Sequence, residues 1–166
     1  MRLRFDASKF FLTVVFVILV LTPSLQAQGP GAMAAMKSDA AAQPIAKNQL
    51  LSPEQLVKIL ESGESKPLIL NVGPRMLFAQ ARIPGAVFIG PGSDSQSLET
   101  LRQRVKSLPK TTAIVLYCGC CPWEHCPNVR PAFNQLRALG FTRVKVLYIA
   151  NNFGVDWVYK GYPTEK

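Results

Sequence analysis

The chain has 166 residues, 48% of them hydrophobic, and its 19 basic against 10 acidic side chains give a net charge of +9. That apolar fraction excludes a disordered polypeptide, and the length suits one globular domain with an N-terminal extension. The basic residues are not interleaved with aromatics as on a nucleic-acid surface, so small anions rather than nucleic acid are the expected partners.

In chain order, Arg2, Arg4 and Lys9 give a positive start and Phe10 to Leu21 is almost wholly apolar. Pro23 breaks the run, and Leu25-Gln26-Ala27 offers a processing site. This pattern predicts a signal peptide over 1–27 and an exported protein, periplasmic or secreted. The apolar run falls short of the roughly 20 residues a spanning helix needs, so no stable membrane span is expected after cleavage. Cleavage would leave 16 basic against 9 acidic residues. Residues 28–49, rich in Ala, Gln, Gly and Pro, read as a flexible linker. The folded domain is expected over 50–166.

Ser52-Pro53-Glu54-Gln55 opens a helix with a capping box, Leu56, Ile59 and Leu60 give its apolar face, and Gly63 stops it. Pro67 to Val72 is a continuous apolar strand of the buried parallel type. Met76 to Ala81 suits one helical turn, Ile83 to Ala86 a tight turn, and Val87 to Ile89 a short strand. Leu98, Leu101, Val105 and Leu108 mark an amphipathic helix over Ser97–Leu108. Thr112 to Tyr117 is a β-branched strand, and Val129, Ala132, Phe133, Leu136 and Leu139 recur at helical spacing up to Gly140. Arg143 to Ile149 reads as the last strand, and a helical piece surrounds Asp156 to Tyr159. Strands alternate with helices throughout, which predicts an α/β domain with a central, mainly parallel sheet flanked by helices.

Between the strand ending at Tyr117 and the helix opening at Val129 lie all four cysteines and the only histidine: Cys118-Gly119-Cys120-Cys121-Pro122-Trp123-Glu124-His125-Cys126-Pro127-Asn128. A loop under a helix N-terminus faces free amide hydrogens and the positive dipole end, which favour a thiolate. In an oxidising compartment cysteines pair by default, but four thiols in one loop cannot staple distant parts of a fold together.

Several segments resemble the rhodanese (sulfurtransferase) family. Arg82-Ile83-Pro84-Gly85-Ala86 is similar to its His-Ile-Pro-Gly-Ala segment, and Ile114 to Cys118 resembles the strand that delivers its catalytic cysteine. Ala132, Leu136, Gly140 and Phe141 resemble the following helix and its stop. Trp157 with Gly161-Tyr162-Pro163 resembles the family's closing motif. Against that pattern the cysteine loop is enlarged, Asn128 stands where an arginine opens the helix, and Asn71-Val72-Gly73 replaces Asp-Val-Arg.

The resemblance implies a rhodanese-like single domain in which Cys118 carries sulfane sulfur as a persulfide. Gly119, Cys120 and Cys121, with the loop amides of Trp123 to Cys126, and Arg130 would hold a small anionic donor such as thiosulfate; a thiophilic acceptor would take the sulfur, and no cofactor is expected. Two alternatives stay open on the residues themselves. Cys121 and Cys126 would serve as a relay or disulfide pair. Alternatively Cys118, Cys120, Cys121, Cys126 and His125 would bind a soft metal, copper before zinc. Arg82 is expected to be structural, Asp156 to start a helix, and Trp157 to be core.

Overall fold

The computed structural model describes residues 45–63 and 65–166, so the expected signal peptide and most of the linker lie outside the described residues. Strand β1 is Leu50–Leu51, β2 Leu68–Asn71, β3 Val87–Phe88, β4 Ile114–Tyr117 and β5 Val144–Leu147. They form one sheet in the order β1-β5-β4-β2-β3, with every neighbouring pair parallel. The helices are α1 Pro53–Glu61, α2 Arg75–Gln80, α3 Ser95–Val105 and α4 Val129–Ala138. No described helix is long and apolar enough to cross a membrane.

Two expectations shift at element ends. The α3 helix starts earlier than its apolar spacing indicates, because Asp94 takes the cap position and accepts the Ser97 amide at 3.0 Å. The last helical piece, Gly154–Val158, is a π-turn whose Val155 amide bonds Asn152 Oδ1. Asp156 lies inside that turn and ties back to the Asn151 amide instead of opening it. The capping box of α1 forms as expected, Gln55 donating to Ser52 Oγ at 3.2 Å and Ser52 to Gln55 Oε1 at 2.8 Å. Strand β1 and the 3-10 turn Lys47–Gln49 before it carry no sequence pattern; β1 exists because Leu50 and Leu51 pair with Val146 and Leu147.

Side-chain alternation along β4 divides the core. Ile114, Leu116 and Cys118 face the layer that holds Leu101, Val105, Ala132, Phe133 and Leu136 of α3 and α4. Val115 and Tyr117 face the opposite layer, with Leu56 of α1 and Trp157. Cys118, one step beyond β4, therefore continues into the α4 layer. That parity governs the site.

The carboxyl ends of β2 and β4 are where the strand order reverses, the crevice in which open parallel sheets place their ligands. The C-terminal segment closes over one side of it. Trp157 is fully buried, stacks on Phe153 at 5.9 Å and donates Nε1–H to the Pro163 carbonyl at 2.9 Å. Arg82, structural as expected, pairs with Glu165 at 2.9 Å and pins the chain's end.

Candidate active site

Gly119 makes the sharp turn after β4, with φ +74; a Cβ there would come within 2.6 Å of the Phe153 Cβ. Its carbonyl accepts the Phe153 amide at 2.9 Å, so loop and C-terminal segment are one unit. On the other side Gly73, after β2, lets the backbone close onto Cys118: a Cβ would lie 2.9 Å from the Cys118 carbonyl and 3.1 Å from its sulfur. Only a residue without a side chain admits this contact, which accounts for glycine at that place.

Within the loop the sulfurs cluster. Cys118 Sγ lies 3.2 Å from Cys120 Sγ, and Cys120 Sγ 3.0 Å from Cys121 Sγ. The sulfurs of Cys118, Cys120 and Cys126 all lie within 4.8 Å of one another. All four residues are free thiols. Asn128, buried at the opening of α4, orients the group. Its Oδ1 accepts the Ser93 amide at 3.1 Å and the Ser93 hydroxyl at 2.9 Å, which turns Nδ2 towards Cys118 at 3.3 Å and Cys120 at 3.7 Å.

With its side chain so engaged, Asn128 caps no amide of its own helix. Cys126 stands two residues ahead of that opening, where the Cys118 thiol and the main-chain amides of Asn128 and Val129 favour its charged form. These donors, the Cys118 thiol foremost, pull Cys126 down to about 6 against the opposing effect of burial. Cys118 moves the opposite way. Its hydrogen bond to Cys126 and its burial hold it protonated, far above the ordinary thiol range, with the Asn128 amide a lesser counterweight. Cys121, outside the three-sulfur group, is pushed up to about 12 by burial and by its Cys120 neighbour.

Three of the loop amides expected around Cys118 are engaged elsewhere. The amides of Trp123, His125 and Cys126 bond the carbonyls of Ala150, Pro122 and Trp123. A 3-10 turn over Trp123–His125 uses up two of these donors. His125 is exposed on that turn and stands outside the sulfur group. Arg130 is half-buried and, among the described residues, makes no polar contact with the thiols. Ser93 and Asn128 are the site residues the sequence reading missed. The available signal for Asn128 is its place in the sequence, where the family pattern has the arginine that opens the helix.

Two spaces adjoin the cluster. A void of about 10 Å³ lies between Cys118, Cys121, Cys126, Trp123, Val129, Leu147 and Ile149. A cleft of about 280 Å³ reaches Cys120 and Gly119 from Leu77, Gln80 and Phe153.

The rhodanese-like domain model matches residues 52–148, more than half of the chain. The chain belongs to the rhodanese-like domain family. A rhodanese-like domain from an Anabaena sp. protein is 28% identical over 70% of this chain and 78% of its own, with a TM-score of 0.52. A Bacillus halodurans protein shares the fold at 23% identity and TM-score 0.53, covering 69% of this chain and 74% of its own. A single-domain sulfurtransferase from Saccharomyces cerevisiae shares it at 14% identity and TM-score 0.51, covering 68% of this chain and 90% of its own. No curated protein matches the chain closely. A rhodanese-like fold that carries a cysteine cluster at the end of its central strand is compatible with sulfurtransferase chemistry.

Proposed function

We propose that the protein is an exported, thiol-dependent sulfurtransferase that takes sulfane sulfur from a small anionic donor such as thiosulfate and holds it as a cysteine persulfide. The observation that carries this reading is the place of Cys126: half-buried just before α4 and within 4.8 Å of the Cys118 and Cys120 sulfurs, it is drawn down to about 6 by the Cys118 thiol and by the main-chain amides of Asn128 and Val129. These donors suit a thiolate before the reaction and a persulfide anion after it. The Cys126 thiolate attacks the outer sulfur of thiosulfate. A sulfur–sulfur bond forms to Cys126, the bond from that sulfur to the sulfonate breaks, and sulfite leaves with the electron pair. The acceptor's nucleophile, cyanide for instance, then takes the outer sulfur and restores the thiolate. The cleft beside Cys120 is the approach to the cluster, and the basic surface draws anions towards it.

A second reading keeps Cys118 as the carrier. Its place at the end of β4 and the Asn128 amide at 3.3 Å favour it, with Cys126 accepting its proton as it attacks. Mass mapping separates the two. The reduced full-length chain is treated with thiosulfate and alkylated, and its peptides are analysed for one added sulfur. Sulfur on Cys126 supports the first reading, sulfur on Cys118 the second, and no gain on any cysteine defeats both. The export expectation rests on residues 1–27 alone; recovery of the secreted chain with an N-terminus at Gln28 tests it.

A further inference from the structure

Carrying sulfur takes one nucleophile, yet three sulfurs converge here from a strand end, a loop and a helix opening. Cys118, Cys120 and Cys126 lie within 4.8 Å of one another and none is tied up in a disulfide. Three thiolates on one ion, at a metal–sulfur length of about 2.3 Å, stand about 4 Å apart. The edge between Cys118 and Cys120, 3.2 Å, needs to open by less than about 1 Å to reach that arrangement. Asn128, held from behind by Ser93, directs its amide hydrogens at two of the three sulfurs. Outer partners of this kind orient and tune metal ligands.

We propose that Cys118, Cys120 and Cys126 form a three-sulfur site for a soft monovalent ion, Cu(I). Thiolate donors select soft ions. Structural zinc takes four tetrahedral ligands, and neither remaining candidate joins the group. The Cys121 sulfur touches Cys120 at 3.0 Å but stays outside the group of three that lie within 4.8 Å of one another, and the His125 ring is out in solvent. The void of about 10 Å³ against the cluster admits no hydrated divalent ion, and its walls include Trp123, Val129, Leu147 and Ile149, which keep water from the metal. The inference needs only the positions of the sulfurs and does not rest on the transfer reading. If both hold, copper and sulfane sulfur compete for the same thiols.

The test titrates the reduced full-length chain anaerobically with Cu(I), supplied as its acetonitrile complex, against a chromophoric Cu(I) chelator. X-ray absorption at the copper edge then counts sulfur neighbours. The expected result is one Cu(I) per chain bound by three sulfurs. Cys118→Ser, Cys120→Ser and Cys126→Ser each weaken binding by more than the roughly 10–100-fold that loss of an outer partner costs, whereas Asn128→Ala and Cys121→Ser, which alter neighbours of the ligands, stay within that range. Circular dichroism of each variant separates a lost fold from a lost site, and the sulfur count on the unaltered chain depends on no variant. Absence of binding, copper held by two or four sulfurs, an affinity that falls as far with Cys121→Ser as with Cys120→Ser, or tighter binding of Zn(II) overturns the proposal. Thiosulfate loading is read by mass, so either idea can fail alone.

Discussion

The carboxyl end of β4 and the opening of α4 meet at the thiol cluster, and they treat a sulfur atom in opposite ways. At the strand end, Cys118 continues an alternation of Ile114 and Leu116 into the layer beneath α4, where it is 4% exposed. Burial and its sulfur neighbours, Cys126 foremost, hold it neutral. At the helix opening, Cys126 stands beside the first amides of α4, which have no carbonyl within the helix to bond, and those of Asn128 and Val129 help to draw its ionisation down. The difference teaches that a position shared with a family marks where a loop begins, while the free donors decide where charge resides. In an enlarged loop those two places come apart.

The largest expected effect comes from deleting the charged sulfur. Cys126→Ser should reduce thiosulfate-dependent loading on the order of 10³-fold or more, the scale of losing a nucleophile. Thiocyanate formation with cyanide measures it, and near-normal activity in this variant would erase the distinction between the two regions. Cys118→Ala sharpens the same contrast. It removes the foremost donor to Cys126, so the Cys126 ionisation should rise from about 6 towards the ordinary thiol range while loading persists at a rate lower by roughly tenfold. An unmoved Cys126 titration would mean that the helix amides alone hold the charge.

Asn128→Ala tests the bracket between the regions. It leaves the Ser93 amide and hydroxyl without their acceptor and should cost about 1–3 kcal/mol of stability in denaturant unfolding. It should also lower the loading rate, because the thiols lose their fixed donor. Gly119→Ala should be milder on chemistry than on folding. A side chain at φ +74, pressed against Phe153, should destabilise by at least about 1 kcal/mol and lower the unfolding midpoint without changing which sulfur is loaded.

How far the sequence leads differs between scaffold and site. Periodicity located β2, β4, α1, α4 and the parallel order, because each of these elements buries its own apolar face. It did not show β1, since two leucines have no periodicity and gain a partner only from β5. It pointed to the right loop, since four thiols in one segment stand out in any reading. It did not show which sulfur meets the helix amides, because that depends on the Trp123–His125 turn consuming its neighbours' donors. Nor did it single out Asn128. Its role needs Ser93, which is distant in sequence and arrives through the crossover that follows β3.

The most direct test of where charge resides is isotope-coded alkylation of the reduced, metal-free chain as a function of pH, with each cysteine followed by its own peptide. Cys126 should be modified first, its rate climbing through about pH 6 as its thiol ionises and then levelling, while Cys118 stays unmodified through neutrality. A chain in which Cys118 reacts first, with a midpoint below that of Cys126, would contradict the account.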